Sequence, residues 1–245
     1  MTQHRDTGIV LSRKDSGEAD NICNIYTKCK GKERFVFKGL KKSGKRPRTG
    51  SEPGTILDII YYSDRHGIIN TISEFDILAN NSVIRGSSNR IYTLFYMLEL
   101  VEQTTGHADS NTGIYNLLSA GIDTLATTLH VKHFTVFFTI RYLLLQGIFP
   151  EALKCSSCGE TAQEKLKIDF SEFRVSCTGC MDSVTSSVGG KYIEFIRQCL
   201  TLKLNRIDCE RYPDRDIHYL LLKLIDYIQR YYNIKIRSES MLNIS

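Results

Sequence analysis

Cys155, Cys158, Cys177 and Cys180 form two C-x2-C knuckles separated by eighteen residues, and no other feature of the chain restricts its local geometry so tightly. Two residues inside each pair let both sulfurs turn toward one centre, and C-x2-C-x18-C-x2-C lies within the spacing of a structural zinc ribbon. Four thiolates close the shell of a tetrahedral ion and leave no position for water or substrate, so zinc here is expected to be a staple and not a catalyst. The competing readings are disulfides and a redox pair. A redox pair needs one C-x-x-C at a helix start, and disulfides need an oxidising compartment. Residues Met1 to Leu11 contain no apolar core of signal-peptide length and carry His4, Arg5 and Asp6, which argues against export. Cys23, Cys29, Cys199 and Cys209 are scattered and are expected to be reduced thiols.

The chain has 245 residues, 42% of them hydrophobic, enough for a sizeable core and for two or three compact units. It has no run of ~18 to 20 apolar residues, so a soluble protein with no membrane partner is expected. The formal charge is only +5, but it is unevenly placed. Residues 28 to 48 hold ten Lys and Arg against Glu33 alone, so that window carries +9 and the rest of the chain −4.

Residues 6 to 78 read as short strands. Gly8 to Ser12, Asn21 to Thr27, Lys32 to Lys38, Thr55 to Tyr62 and Ile68 to Ile77 are β-branched or aromatic runs. Turn residues part them at Asp15-Ser16-Gly17, Lys30-Gly31-Lys32, Glu52-Pro53-Gly54 and Asp64-Arg65-His66-Gly67. Five such strands suggest a small barrel, either an OB-fold or an SH3-like one. After Asn80 the period changes. Ile91 to Val101, Ile114 to Leu125, His133 to Leu145, Tyr192 to Leu204 and Ile217 to Tyr231 carry apolar residues at helical spacing, and Gly147 and Pro150 stop the third of these. The expectation is an α+β protein: a barrel domain over 1–80, then an all-helical domain over 81–245 with the zinc ribbon inserted at about 151–188.

Alternation on the third strand puts Phe35 and Phe37 on one face and Arg34, Val36 and Lys38 on the other. Lys41, Lys42, Lys45, Arg46 and Arg48 follow on a loop expected to be mobile. Together with Arg34 and Lys38 they form a candidate phosphate-binding surface, acting by counterion release and with little sequence preference. Tyr61 and Tyr62 are candidates for stacking on bases, since one of two adjacent strand residues must face outward.

Enzyme chemistry finds little support. Gly39 to Arg46 nearly matches a P-loop, but Arg46 stands where the magnesium-binding hydroxyl belongs, and Pro47 turns it away from helical geometry. No histidine sits in an H-x-E or H-E-x-x-H arrangement, and G-x-S-x-G is absent. His130 and His133 share a helical face and could bind a metal, although a polar helix start accounts for them; Glu99 and Asp123 read as solvated charges.

The ordered set of motifs resembles the bacterial DNA repair protein family RecO. Thr7-Gly-Ile-Val-Leu11 and Ser16-Gly-Glu-Ala-Asp20 resemble the family's opening strand and turn. Phe37-Lys38-Gly39 with the basic loop, Leu144 to Pro150 leading to Cys155-Ser-Ser-Cys158-Gly159, and Phe170 to Cys180 follow in the family's order. Ser43-Gly44 and Pro47 depart from its loop, and the zinc ribbon is not universal in it. The resemblance implies an OB-fold, a helical domain and a ribbon. It also implies activity without turnover: binding single- and double-stranded DNA, annealing complementary strands, binding RecR and the C-terminal tail of single-strand binding protein, and assisting recombinase loading. Such a protein would be cytoplasmic and nucleoid-associated. The alternative is an OB or SH3-like barrel with a ribbon serving in RNA binding or transcription, and a strand-annealing assay separates the two.

Overall fold

The computed structural model describes residues 2–63, 68–171, 174–180 and 187–242. The turn expected at Asp64 to Gly67 lies outside the described residues, as do parts of the ribbon segment at 172–173 and 181–186.

Five strands open the chain: β1 (Gln3–Ser16), β2 (Asp20–Thr27), β3 (Gly31–Phe37), β4 (Ile56–Tyr62) and β5 (Asn70–Ala79). They close into a barrel in the order β1-β2-β3-β5-β4, with β4 returning to β1. Every pairing is antiparallel except β3 with β5, which run parallel through Phe35↔Asn70 and Val36↔Thr71. This Greek-key closure is that of an OB-fold, and it decides against the SH3-like alternative.

β1 is far longer than its apolar segment because it serves two neighbours. Gln3 to Ile9 pair with β4 and Gly8 to Ser16 with β2, with a register shift between Val10 and Ser12. A bulge of this kind bends a strand around a barrel. The charged ends have weak strand propensity and are held by the ladder on either side. Inside, Val10, Cys23, Ile25, Phe35, Phe37, Leu57, Ile59, Tyr61 and Ile72 form the core. Burying each large apolar side chain contributes about 1.5–3 kcal/mol.

Helices follow: α1 (Ser82–Arg85), α2 (Ser88–Thr104), α3 (Thr112–Thr127) and α4 (Val131–Leu145). Next come three short strands, β6 (Leu166–Asp169), β7 (Arg174–Cys177) and β8 (Val188–Gly189), and then α5 (Lys191–Thr201), α6 (Asp214–Tyr232) and α7 (Glu239–Leu242). Among the described residues no helix is long and apolar enough to cross a membrane.

Secondary structure switches from strand to helix near residue 80, but compactness divides the chain elsewhere. One unit runs to Thr127 and takes back the residues from Ile236 on; the other is Thr128–Lys235. Polar contacts tie α2 to the barrel and the segment leading into α7 to α2. The Glu102 carboxylate accepts from Asn24 Nδ2 at 2.6 Å, and its carbonyl accepts from the Lys32 ammonium. The Glu99 carboxylate accepts the backbone N–H groups of Arg237 and Ser238, each at 2.9 Å, and the Ser238 hydroxyl at 2.6 Å. Glu99 is therefore a structural anion that holds the returning segment, not a solvated charge. Gly31 is needed where it stands: its φ is +71°, and a Cβ would lie 2.1 Å from the Asp109 carbonyl oxygen.

In the second unit α4 is buried on nearly every side, from His133 and Phe134 to Tyr142 and Leu143, and it packs against α5 and α6. Gly147, at φ +72°, ends it: Ile148 N–H reaches the Leu143 carbonyl at 3.1 Å and Gly147 N–H reaches that of Leu144 at 3.0 Å. That pair of bonds satisfies carbonyls the helix leaves open. α6 buries Ile217, Leu220, Leu221, Leu224, Ile225 and Ile228, the apolar stripe legible in the sequence, and Tyr227 with them.

Candidate functional site

The barrel presents its charges through the pleat of β3. Phe35 and Phe37 enter the core, while Arg34 and Lys38 are exposed. Val36 shares their side by alternation but is only 8% exposed, so the outer face of β3 is not open throughout. Arg34 stands opposite Asn24 of β2. Both line a groove of about 530 Å³ with Lys32, Glu33, Ile68 and His107. The strand 2–3 face is the one with which OB-folds bind oligonucleotides. Lys32 is the cation least available there, because it is half-buried, donates to the Glu102 carbonyl, and has its pKa lowered by desolvation.

The basic segment beyond Lys38 is anchored, contrary to the expected mobile loop. Two 3-10 turns, Leu40–Lys42 and Arg48–Ser51, bracket it, and Leu40, Gly50 and Ser51 are buried. A Cβ on Gly50 would lie 2.3 Å from the Phe75 ring, so the backbone there sits directly against that aromatic side chain. Thr55 Oγ1 donates to the Thr49 carbonyl at 3.0 Å, and the Ser43 hydroxyl accepts Arg46 N–H at 2.9 Å.

The turn Ser16–Asp20 clasps the near end of this segment. Asp20 Oδ1 accepts Gly39 N–H at 2.7 Å, and the Ala19 carbonyl accepts Lys41 N–H at 2.9 Å. Lys41 pairs with Asp15 at 3.1 Å, and Lys42 with Glu18 at 2.9 Å. These two cations are thus opposed by carboxylates from another turn, although their own window holds only Glu33. Surface pairs of this kind contribute about 0–1 kcal/mol, so an incoming phosphate can displace them. The Arg46 guanidinium donates to the Lys38 carbonyl. Arg34, Lys38, Lys45 and Arg48 remain exposed. Tyr61 does not serve as a platform for bases: it is 1% exposed and meets Phe35 edge to face at 5.1 Å. Tyr62 is the half-buried, outward member of the pair.

The P-loop resemblance ends in geometry. The 3-10 turn Leu40–Lys42 precedes Gly44-Lys45, and after Arg46 comes an extended Pro47, where a phosphate cradle would need an opening helix.

The four knuckle cysteines converge, with one sulfur from each within 4.8 Å of the others. β6 pairs antiparallel with β7, from Leu166↔Cys177 to Asp169↔Arg174, and also with β8. Ser156 N–H donates to the Val175 carbonyl at 2.9 Å, which ties the first knuckle to the strand carrying the second. Cys155 and Cys177 are buried; Cys158 is exposed. Backbone N–H groups of Cys158, Cys177 and Ser157 bring the Cys155 thiol down to about 6. Contacts with Cys158 and Cys177 push that of Cys180 up to about 12. Four thiols this close cannot all ionise unaided, and a soft dication is the partner that lets them do so. The donor set therefore fits a zinc ion.

Two family descriptions match the chain: "Recombination protein O N terminal" over residues 1–81 and "Recombination protein O C terminal" over residues 85–240. The chain belongs to the RecO family. Among its relatives, the DNA repair protein RecO of Leptospira biflexa is 27% identical over 173 residues, covering 70% of this chain and 69% of that protein. That of Alkaliphilus metalliredigens is 25% identical over 227 residues, 91% of this chain and 82% of its own. That of Thermobifida fusca is 29% identical over 192 residues, 77% and 76% respectively.

As a RecO-family DNA repair protein, the chain shows its motifs in physical roles. The Ser16–Asp20 turn is what holds Gly39 and Lys41 in place. Reasoning from sequence alone missed this clasp, although a signal was present: Glu18 and Asp20 in the turn, with Asp15 just before it, are brought beside the lysines by hairpin pairing of β2 with β3. Arg5, read in the sequence only as one of the charges near the N-terminus, forms a two-pronged contact with Asp58 at 2.6 and 3.1 Å beside a second groove lined by Arg46, Phe75 and Asp76.

Proposed function

We propose that the chain is a recombination mediator that binds single- and double-stranded DNA on its barrel and anneals complementary strands without turnover. The observation that carries the reading is the exposed cation row leaving β3, in a member of a DNA repair family. Arg34, Lys38, Lys41, Lys42, Lys45, Arg46 and Arg48 are the binding residues, with Arg34, Lys38, Lys45 and Arg48 ahead of the two clasped lysines. Cations of this density neutralise two phosphate backbones at once and release their counterions, which lowers the repulsion between strands that must pair. Tyr62 offers the outward ring for a displaced base.

A structural zinc held by Cys155, Cys158, Cys177 and Cys180 keeps the ribbon folded, and supplies rigidity and no reaction. RecR and the acidic C-terminal tail of single-strand binding protein are the proposed partners, the latter on the helical part. Together they assist recombinase loading on coated DNA. The setting is the bacterial cytoplasm, at the nucleoid.

The test mixes complementary oligonucleotides, bare and coated with single-strand binding protein, and follows duplex formation with and without the chain. Annealing should accelerate, most strongly at low salt. Replacing Arg34, Lys38, Lys45 and Arg48 by Ala should weaken binding across all sequences and flatten the log-affinity against log-salt slope by roughly one unit for each phosphate no longer neutralised. Annealing no faster than the protein-free control, or an unchanged salt slope in the quadruple variant, overturns the reading.

A further inference from the structure

We propose that His130, His133 and Cys209, completed by Asp214, form a second site for a divalent transition-metal ion of the zinc class, separate from the four-cysteine ribbon. The inference does not depend on the DNA-binding proposal.

The second unit brings these residues together from three elements. His130 immediately precedes α4 and His133 lies in its first turn, three residues on, so both imidazoles share one helical face. Their ring centroids are 5.6 Å apart. Cys209 opens the 3-10 turn Cys209–Arg211, and Asp214 begins α6. One ligand atom from each of His130, His133 and Cys209 lies within 4.8 Å of the others. A small movement of side chains brings atoms at that separation around a tetrahedral ion with bonds of about 2.0–2.3 Å.

His133 is the observation that points to a ligand. It is 2% exposed, and its Nε2 lies 2.7 Å from the Tyr212 carbonyl oxygen. A carbonyl only accepts, so Nε2 carries the proton and donates it. Among the described residues nothing hydrogen-bonds the other ring nitrogen, Nδ1, although it is buried. Nδ1 instead faces Asp214, with Oδ1 at 3.8 Å, beyond hydrogen-bond reach. A backbone carbonyl that fixes one nitrogen and aims the other is the usual support of a metal-binding histidine. An unpartnered buried nitrogen is otherwise an unusual thing for a folded core to keep.

Two imidazoles, a thiolate and a carboxylate make a borderline donor set that suits zinc or cobalt and not calcium or magnesium, which prefer all-oxygen shells. The neighbouring charges agree. Glu210 Oε1 lies 3.8 Å from His130 Nε2 and adds negative charge at the rim, while Lys132 Nζ, 3.7 Å from Asp214 Oδ2, must yield that carboxylate when an ion enters. The His130 side chain is 39% exposed, so the ion has an entry path from that side. Once bound, it would tie the start of α4 to the start of α6.

The test uses the full chain, reduced, stripped with chelator and titrated with Co2+ and then Zn2+. Bound equivalents are counted and the visible absorption of tetrahedral cobalt is recorded. Wild type should bind two equivalents. His130→Ala, which alters a partly exposed residue, and Cys209→Ser, a near-isosteric change, should each lose one equivalent or at least tenfold in affinity at that site, while the four-thiolate spectrum persists. The Cys155→Ser, Cys158→Ser double variant should keep the second site's one-thiolate spectrum. Circular dichroism of the metal-free variants separates lost ligation from lost folding. Equal metal content and unchanged spectra in wild type, His130→Ala and Cys209→Ser overturn the proposal. A single equivalent lost only with Cys155 and Cys158 overturns it as well. A single equivalent lost only with His130 or Cys209 supports it and defeats the ribbon's zinc instead.

Discussion

The two sheets of this chain solve the same problem in opposite ways. The barrel closes five strands of seven to fourteen residues on themselves and fills the interior with Phe35, Phe37, Leu57, Ile59, Tyr61 and their neighbours. The ribbon has strands of four, four and two residues, and among its described residues the buried apolar side chains besides cysteine are few: Leu153, Leu166, Ile168, Phe170 and Val175. A sheet that small cannot offset its own chain entropy by burial, so it needs a cross-link. The four cysteines that converge at the two ends of its longer hairpin are placed to hold a metal that would supply one. The contrast teaches where each sheet is vulnerable: the barrel through its packing, the ribbon through its sulfurs.

The sharpest way to break the comparison is to remove the sulfurs. Cys155→Ser with Cys177→Ser should abolish a metal-linked stabilisation on the order of 10 kcal/mol. Hydrogen exchange should show β6 and β7 losing protection while β1 to β5 keep theirs; equal loss in both sheets would mean the barrel shares the staple. Phe35→Ala should do the reverse, costing the barrel ~3–5 kcal/mol in denaturant unfolding and leaving the metal content measured for the protein unchanged. The smallest effect concerns acid. The Arg5 guanidinium, through its hydrogen bonds, holds the Asp58 carboxyl below its ordinary value of 3.8. Its contribution is therefore fully present above that value and lost as pH falls through the depressed one. Asp58→Asn should remove this slight acid dependence of barrel unfolding. The ribbon should fail at higher pH than the barrel does, because protons compete with metal for its thiolates.

Much of this was legible in the sequence, and what was not has a common cause. Phe35 and Phe37 declare their face by strand period, and Leu220, Leu224 and Ile228 theirs by helical period, because both signals are local. The knuckles declare their partners by spacing. Three features were hidden: the charged ends of β1, the partners of Lys41 and Lys42, and the role of Glu99. Each is set by residues far off in the chain. Arg5 finds Asp58 only through the β1–β4 register, Lys42 finds Glu18 only because β2 pairs with β3, and Ser238 lies 139 residues from Glu99. His133 belongs with them. Its sequence position suits a polar helix start, yet tertiary packing buries it against Tyr212 and Phe195.

The Glu99 clasp also has a consequence in time. A chain synthesised from its N-terminus makes the barrel, α2 and α3 first, then the whole of Thr128–Lys235, and only afterwards Arg237 and Ser238. Until those residues leave the ribosome, the Glu99 carboxylate has its neighbour Gln103 on the same helix but lacks every donor from the returning segment. The first unit to begin folding is thus the last to be finished. A nascent chain stalled inside the insertion carries a barrel whose latch has not yet been made.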